Sequence, residues 1–109
     1  MALMSAGGAN KNSWYLNMSR TVTEATTTIT FLEKGTYKIS GTYDAGWICG
    51  TKITCKGVQR GYVENGNSGN LDFTIDAIPN DTLVIYQKTD QQAVSNRYCH
   101  TNLNILKIK

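Results

Sequence analysis

Apolar and polar residues alternate along most of this chain, at period two. The run Leu71-Asp72-Phe73-Thr74-Ile75-Asp76-Ala77 is unbroken, with Leu71, Phe73, Ile75 and Ala77 on one side and Asp72, Thr74 and Asp76 on the other. Successive side chains of an extended chain point to opposite faces, so such a run makes a strand with one buried face. The same pattern flanks Glu33-Lys34-Gly35, with Ile29 and Phe31 inward before it and Tyr37, Ile39 and Tyr43 inward after it. That short link with its glycine predicts a hairpin joining strands over 26–32 and 36–43.

Further strands follow from the same rule. One spans 14–19, with Trp14, Leu16 and Met18 sharing a face. Another spans 47–56, with Trp47, Cys49, Ile53 and Cys55 opposite Lys52, Thr54 and Lys56, and with Gly50 marking a bulge. A connection over 57–61 leads into 62–64. The run 82–88 is more continuously β-branched and aromatic, which predicts a central strand. A weaker strand covers 94–100. The last, over 103–108, slips in parity between Ile105 and Leu106, which implies a bulge or burial on both faces. Asn, Gly, Pro and Asp mark a turn at 78–81 and a loop at 65–70, and a polar loop follows at 89–92. Eight or nine short strands at spacings of roughly ten residues predict an antiparallel β-sandwich, jelly-roll-like. Residues 1–13 carry no helix or strand pattern and read as an arm. Residues 14–109 read as one domain.

Composition narrows the function classes. The chain has 109 residues, 40% hydrophobic and only 17% charged, enough for one modest core. Eleven Lys and Arg against eight Asp and Glu give a formal charge of +3. That is too mild, and too scattered, for a nucleic-acid footprint. The basic groups at 52–60 fit the polar face of a strand, and the tail Lys107 to Lys109 a frayed end. No apolar run is long enough for a membrane helix, and the first nine residues lack the basic start of a signal peptide. Synthesis in the cytoplasm, without classical secretion, is the expectation.

Candidate chemistry is sparse. Cys49, Cys55 and Cys99 are an odd set, and read as buried thiols rather than a disulfide framework. Cys49 and Cys55 would stand ~20 Å apart on a regular strand, and Cys99-His100 would point to opposite faces, so no metal site and no cofactor are expected. The sole histidine, His100, has no nucleophile elbow near it. Asp72 and Asp76 would lie ~13 Å apart on one face, beyond a glycosidase pair's ~5–9.5 Å. No catalytic residues are assigned, and the chain reads as non-enzymatic. The aromatic residues are the positive signal. Trp47, beside the turn at Asp44-Ala45-Gly46, with Tyr43 and the carboxamides of Asn65, Asn67 and Asn70, forms a candidate glycan or contact surface. In the arm, Met1, Leu3, Met4, Asn10 and Lys11 are candidate partner-binding residues.

Gly35-Thr36-Tyr37-Lys38-Ile39-Ser40, followed by Asn70 to Ile75 and by Asn80-Asp81-Thr82-Leu83-Val84-Ile85, resembles small jelly-roll domains of the C1q/TNF-like type. Such domains occur in virion accessory, head-fibre and tail-tip proteins of tailed bacteriophages. Their glycine-x-tyrosine strand is matched here, while Asn80-Asp81 stands where Gly-Asp is the rule. The resemblance covers about half of the chain. It implies a structural virion component made in the host cytoplasm: a homo-oligomer, with a trimer as its closed form, contacting a capsid or tail protein. A carbohydrate-binding module is the alternative, with a surface glycan as partner. Neither nucleic acid nor membrane is an expected partner.

Overall fold

The structure is a computed structural model. It describes residues 4–5, 13–18, 24–89 and 97–109, with side chains from 24 to 89 and 99 to 109. Nine strands form among the described residues: β1 (Met4–Ser5), β2 (Ser13–Met18), β3 (Glu24–Phe31), β4 (Gly35–Ala45), β5 (Cys49–Cys55), β6 (Val58–Glu64), β7 (Ser68–Ala77), β8 (Thr82–Thr89) and β9 (Arg97–Lys107). They build two antiparallel sheets, ordered β1-β3-β8-β5-β6 and β2-β9-β4-β7. Apart from β1, each sheet has four strands, and every connection except β5–β6 crosses between the sheets. This is the double Greek key of a jelly roll.

The inner faces follow the predicted alternation. Ile29, Phe31, Ile53, Leu83 and Ile85 of one sheet meet Tyr37, Ile39, Leu71, Ile75 and Leu103 of the other. The Phe31 and Tyr37 rings tilt against each other at 4.7 Å between centroids. β8 is central, as expected, between β3 and β5.

The hairpin expected around Glu33-Lys34-Gly35 is not one. β3 pairs with β1 and β8, while β4 pairs with β7 and β9. The link crosses the sandwich, and the Tyr37 hydroxyl donates to the Glu33 carbonyl at 2.7 Å. Alternation shows which side chains turn inward. It is silent on which sheet they belong to, because two facing sheets present the same pattern. The hairpin lies instead between β5 and β6. Its turn is Lys56-Gly57, both at positive φ (52° and 80°), the mirror-image turn that matches strand twist. The segment expected to be a connection, 57–61, therefore lies mostly in β6. The bulge is there too, not at Gly50: pairing shifts between Ile53↔Gly61 and Thr54↔Gln59, leaving Arg60 as the extra residue. The bulge re-aims Arg60, whose guanidinium sits 4.5 Å from the Phe73 ring centroid on β7, across the sandwich edge.

Four more expectations change. Met4–Ser5 of the arm pairs with Thr30 and Phe31, so the arm contains a strand. Met1, Leu3, Asn10 and Lys11 lie outside the described residues. The last two predicted strands are one, β9, paired with β4 without a break from Cys99 to Lys107. The parity slip at Leu106 is no bulge, because that side chain simply faces outward and is exposed. The tail is not frayed, since Ile108 N donates to Thr36 O at 2.8 Å and Thr36 N to Lys109 O at 3.2 Å.

Tyr43 is a core residue, 6% exposed. Its phenol passes between Gly61 on β6 and Gly69 on β7, where a Cβ on either glycine would collide with the ring's end.

Candidate functional site

Strand ends gather at two poles. At the first, the link between β5 and β4 and the link between β6 and β7 are tight turns bound to each other. Ala45 N donates to Asn67 O at 3.1 Å, Asn65 N to Cys49 O at 3.1 Å, and Gly66 N to Gly46 O at 3.2 Å. The Asn67 Nδ2 amide donates to Glu64 O at 2.7 Å. Trp47 stands at the tip, 66% exposed, the most exposed large apolar side chain described. The structure thus sets the turn of Trp47 beside the turn of Asn65 and Asn67. It does not bring in Tyr43, which is buried. Asn70 is exposed but lies within β7, opposite Thr42, because the strand begins at Ser68 rather than after the predicted loop.

Beneath this pole the interior holds Ala45, Cys49 and Cys99, with Thr51, Gln87, Thr89 and Thr101 also buried. Thr51 Oγ1 donates to Asp44 O at 2.8 Å and Thr89 Oγ1 to Ile48 O at 3.1 Å. Among the described residues, Thr101 Oγ1 has no hydrogen-bond partner. All three cysteines are buried thiols. Burial pushes the Cys99 thiol up to about 11, and the neighbouring Cys49 adds to the rise. Burial likewise raises Cys55. Thiols held protonated at neutral pH are poor nucleophiles. Asp72 and Asp76 face solvent. Asp76 accepts from Thr36 Oγ1 at 2.7 Å, and Asp72 lies 3.9 Å from Lys38 in a screened surface pair. Among the described residues, no group of three His, Cys, Asp or Glu could hold a metal ion, and no helix is long and apolar enough to cross a membrane.

The second pole has a different character. Here the Ile78–Asp81 turn is closed by Asp81, whose carboxylate accepts from Ile78 N at 2.9 Å. The turn is tied to the end of β3 by Phe31 N→Asp81 O and Asn80 N→Phe31 O, both 2.9 Å. Of the seven large apolar side chains exposed among the described residues, five lie at or near this end: Leu32, Val58, Ile78, Leu106 and Ile108. Beside them is an open groove of about 590 Å³ whose lining includes Lys34, Lys56, Lys107 and Lys109. The sequence offered a signal for this cluster, because Leu32, Ile78 and Ile108 all fall in predicted links or ends. Only the folded connections bring them together.

No protein-family model matches this chain, and no curated protein matches it. Among solved structures, Pika GITRL is similar at a TM-score of 0.50 and 16% identity, over 75% of this chain and 77% of that one. The carbohydrate-binding module CBM36, in complex with calcium and xylotriose, aligns over 94% and 92% at a TM-score of 0.43 and 10% identity. TmCBM61, in complex with β-1,4-galactotriose, aligns over 96% and 87% at 0.41 and 11%. At these identities the likeness is one of fold, and the first alone is close enough to carry it. The chain is an all-β sandwich of jelly-roll form.

Proposed function

We propose that this chain is a non-catalytic contact module that works in an assembly, of the kind found as accessory, head-fibre or tail-tip domains on phage particles. The observation that carries this reading is the Ile78 pole. Five of the seven exposed large apolar side chains among the described residues lie at or near this one end, and exposed apolar surface gathered in one region suits an interaction site. Ordered turns hold this one in place, with lysines around it to orient a partner. The jelly roll and the resemblance to C1q/TNF-like domains support the same reading, with a homotrimer as the closed form. Native mass measurement tests it. The wild-type chain is expected to run as an oligomer, and the double variant Ile78→Asp, Ile108→Asp as a folded monomer. A wild-type chain that stays monomeric at high micromolar concentration sinks the proposal.

A second reading has its own observation. Trp47 stands exposed on the turn between β4 and β5, whose backbone is bound to the neighbouring turn that carries Asn65 and Asn67. That combination suits a sugar ring, with its apolar face and hydroxyl rim, and supports a glycan-binding module. Glycan-array binding that disappears in Trp47→Ala would favour this reading over the first.

A further inference from the structure

The outer face of the β3-β8-β5-β6 sheet carries a hollow in the rows next to the Trp47 pole. Register builds it. Lys52 on β5 pairs with Tyr62 on β6 and Tyr86 on β8, which makes a row of ring, ammonium, ring. One row further along, Gly50 pairs with Glu64 on one side and Lys88 on the other, and Lys88 pairs with Glu24. Every outward position in these two rows has a side chain except Gly50. The gap is a cavity of about 90 Å³ lined by Gly50, Thr51, Lys52, Tyr62, Tyr86 and Lys88.

Its walls are fixed in advance. The Tyr62 hydroxyl donates to Glu64 Oε2 at 3.0 Å and the Tyr86 hydroxyl to Glu24 Oε2 at 2.7 Å. The Lys52 ammonium lies 6.0 Å from the Tyr86 ring centroid. Two oriented rings need no ordering when a ligand arrives, which removes part of the usual entropic cost of binding. The charges facing the hollow and its rim are Lys52, Lys88, Glu24 and Glu64, two of each sign. The two ammoniums in the lining, Lys52 and Lys88, are offset by Glu24 and Glu64 in the neighbouring register positions, so the site has no net formal charge to select an ion. A neutral molecule with many hydroxyls meets polar side chains of both signs there, with aromatic surface for its apolar C–H groups.

We propose that the hollow over Gly50 is a subsite for one uncharged pyranose ring of a glycan. This rests on the glycan-binding reading but places the ring on the sheet face rather than at Trp47. The cavity is far smaller than the ~300–1,000 Å³ of a drug-sized pocket, so it seats one edge of a single ring that otherwise lies over the sheet face, with a dissociation constant on the order of 1 mM. In an oligomer, several such sites would raise the avidity for a glycan-covered surface.

The test is saturation-transfer NMR on the full chain. The probes are the methyl glycosides of glucose, galactose, mannose and xylose, with methyl glucuronide as the acidic control. A Cβ at Gly50 would meet only ordinary contacts, the nearest being Tyr62 Oη at 3.4 Å, so Gly50→Leu fills the hollow without backbone strain. The expected result is transfer to at least one neutral glycoside, at least tenfold weaker in Gly50→Leu and Tyr62→Ala, kept in Trp47→Ala and unchanged by added salt. Transfer to no neutral glycoside overturns both this proposal and the glycan reading for those sugars. Transfer lost in Trp47→Ala but kept in Gly50→Leu overturns the hollow and leaves the glycan reading standing. Binding of the glucuronide alone also overturns it. Should Gly50→Leu fail to fold, undiminished transfer in the exposed-residue variant Tyr62→Ala decides against the proposal.

Discussion

Toward the Ile78 pole the two sheets are clamped by Phe31, Tyr37, Ile39, Ile53, Leu83 and Ile85, and toward the Trp47 pole by Ala45, Cys49, Cys99 and a set of threonines with Gln87. The strands run continuously from one half to the other, so the backbone is the same and only the filling differs. Large apolar side chains gain the most from leaving water, roughly 1.5–3 kcal/mol each. Small thiols and hydroxyls gain little, and the hydroxyls must also find acceptors. Cohesion is therefore concentrated in one half. The other half has a filling of small and polar side chains beneath the exposed indole.

Truncation is the strongest way to break this contrast. Phe31→Ala is expected to cost about 3–5 kcal/mol and Cys49→Ala less than about 1.5 kcal/mol, read from urea unfolding at neutral pH. Equal losses would show that the two halves carry the same load. Alkali sharpens the contrast next. Cys99 titrates at about 11 against an ordinary 9.0, so below 9 both folded and unfolded chains keep the proton and nothing is gained or lost. As pH rises from 9 toward 11 the unfolded chain ionises first, and stability falls by about 2 kcal/mol. Cys55 and Tyr37, both raised chiefly by burial, add to the fall. Cys99→Ala should flatten the slope without abolishing it.

Smaller effects remain in the polar half and at its tip. Thr101→Val removes a buried hydroxyl that lacks a partner among the described residues, and is expected to raise stability by about 1 kcal/mol. A loss of that size instead would mean the hydroxyl is satisfied. Trp47→Ala should leave stability within about 0.5 kcal/mol while abolishing any binding that the tip supports.

Much of the fold was legible because burial on one face writes itself into alternation. β7 could be read residue by residue from Leu71 to Ala77, and so could the inward set of β3 and β4. Sheet membership could not, as the link at Glu33 shows. A three-residue connection fits a hairpin or a crossover, and only the partners of β3 and β4, far away in sequence, decide. The turn at Lys56-Gly57 was hidden because lysine rarely takes positive φ, so its signal looked like ordinary strand sequence. Of the candidate surface, Trp47 with Asn65 and Asn67 was legible from turn chemistry. Tyr43 was inward by parity, and that parity decided its fate. The hollow at Gly50 depends on register across three strands, so no local pattern could reveal it.

The seating of Tyr43 between Gly61 and Gly69 has a consequence for how this sequence can drift. The three positions form one lock across the open edge of the sandwich: the ring is the bolt and the two missing side chains are its channel. None can change alone without jamming or emptying it. Relatives of this chain should therefore change them as a set, with side chains appearing at 61 and 69 only where the residue at 43 has become small. An aligned collection in which the three vary independently would show that the edge closes in some other way.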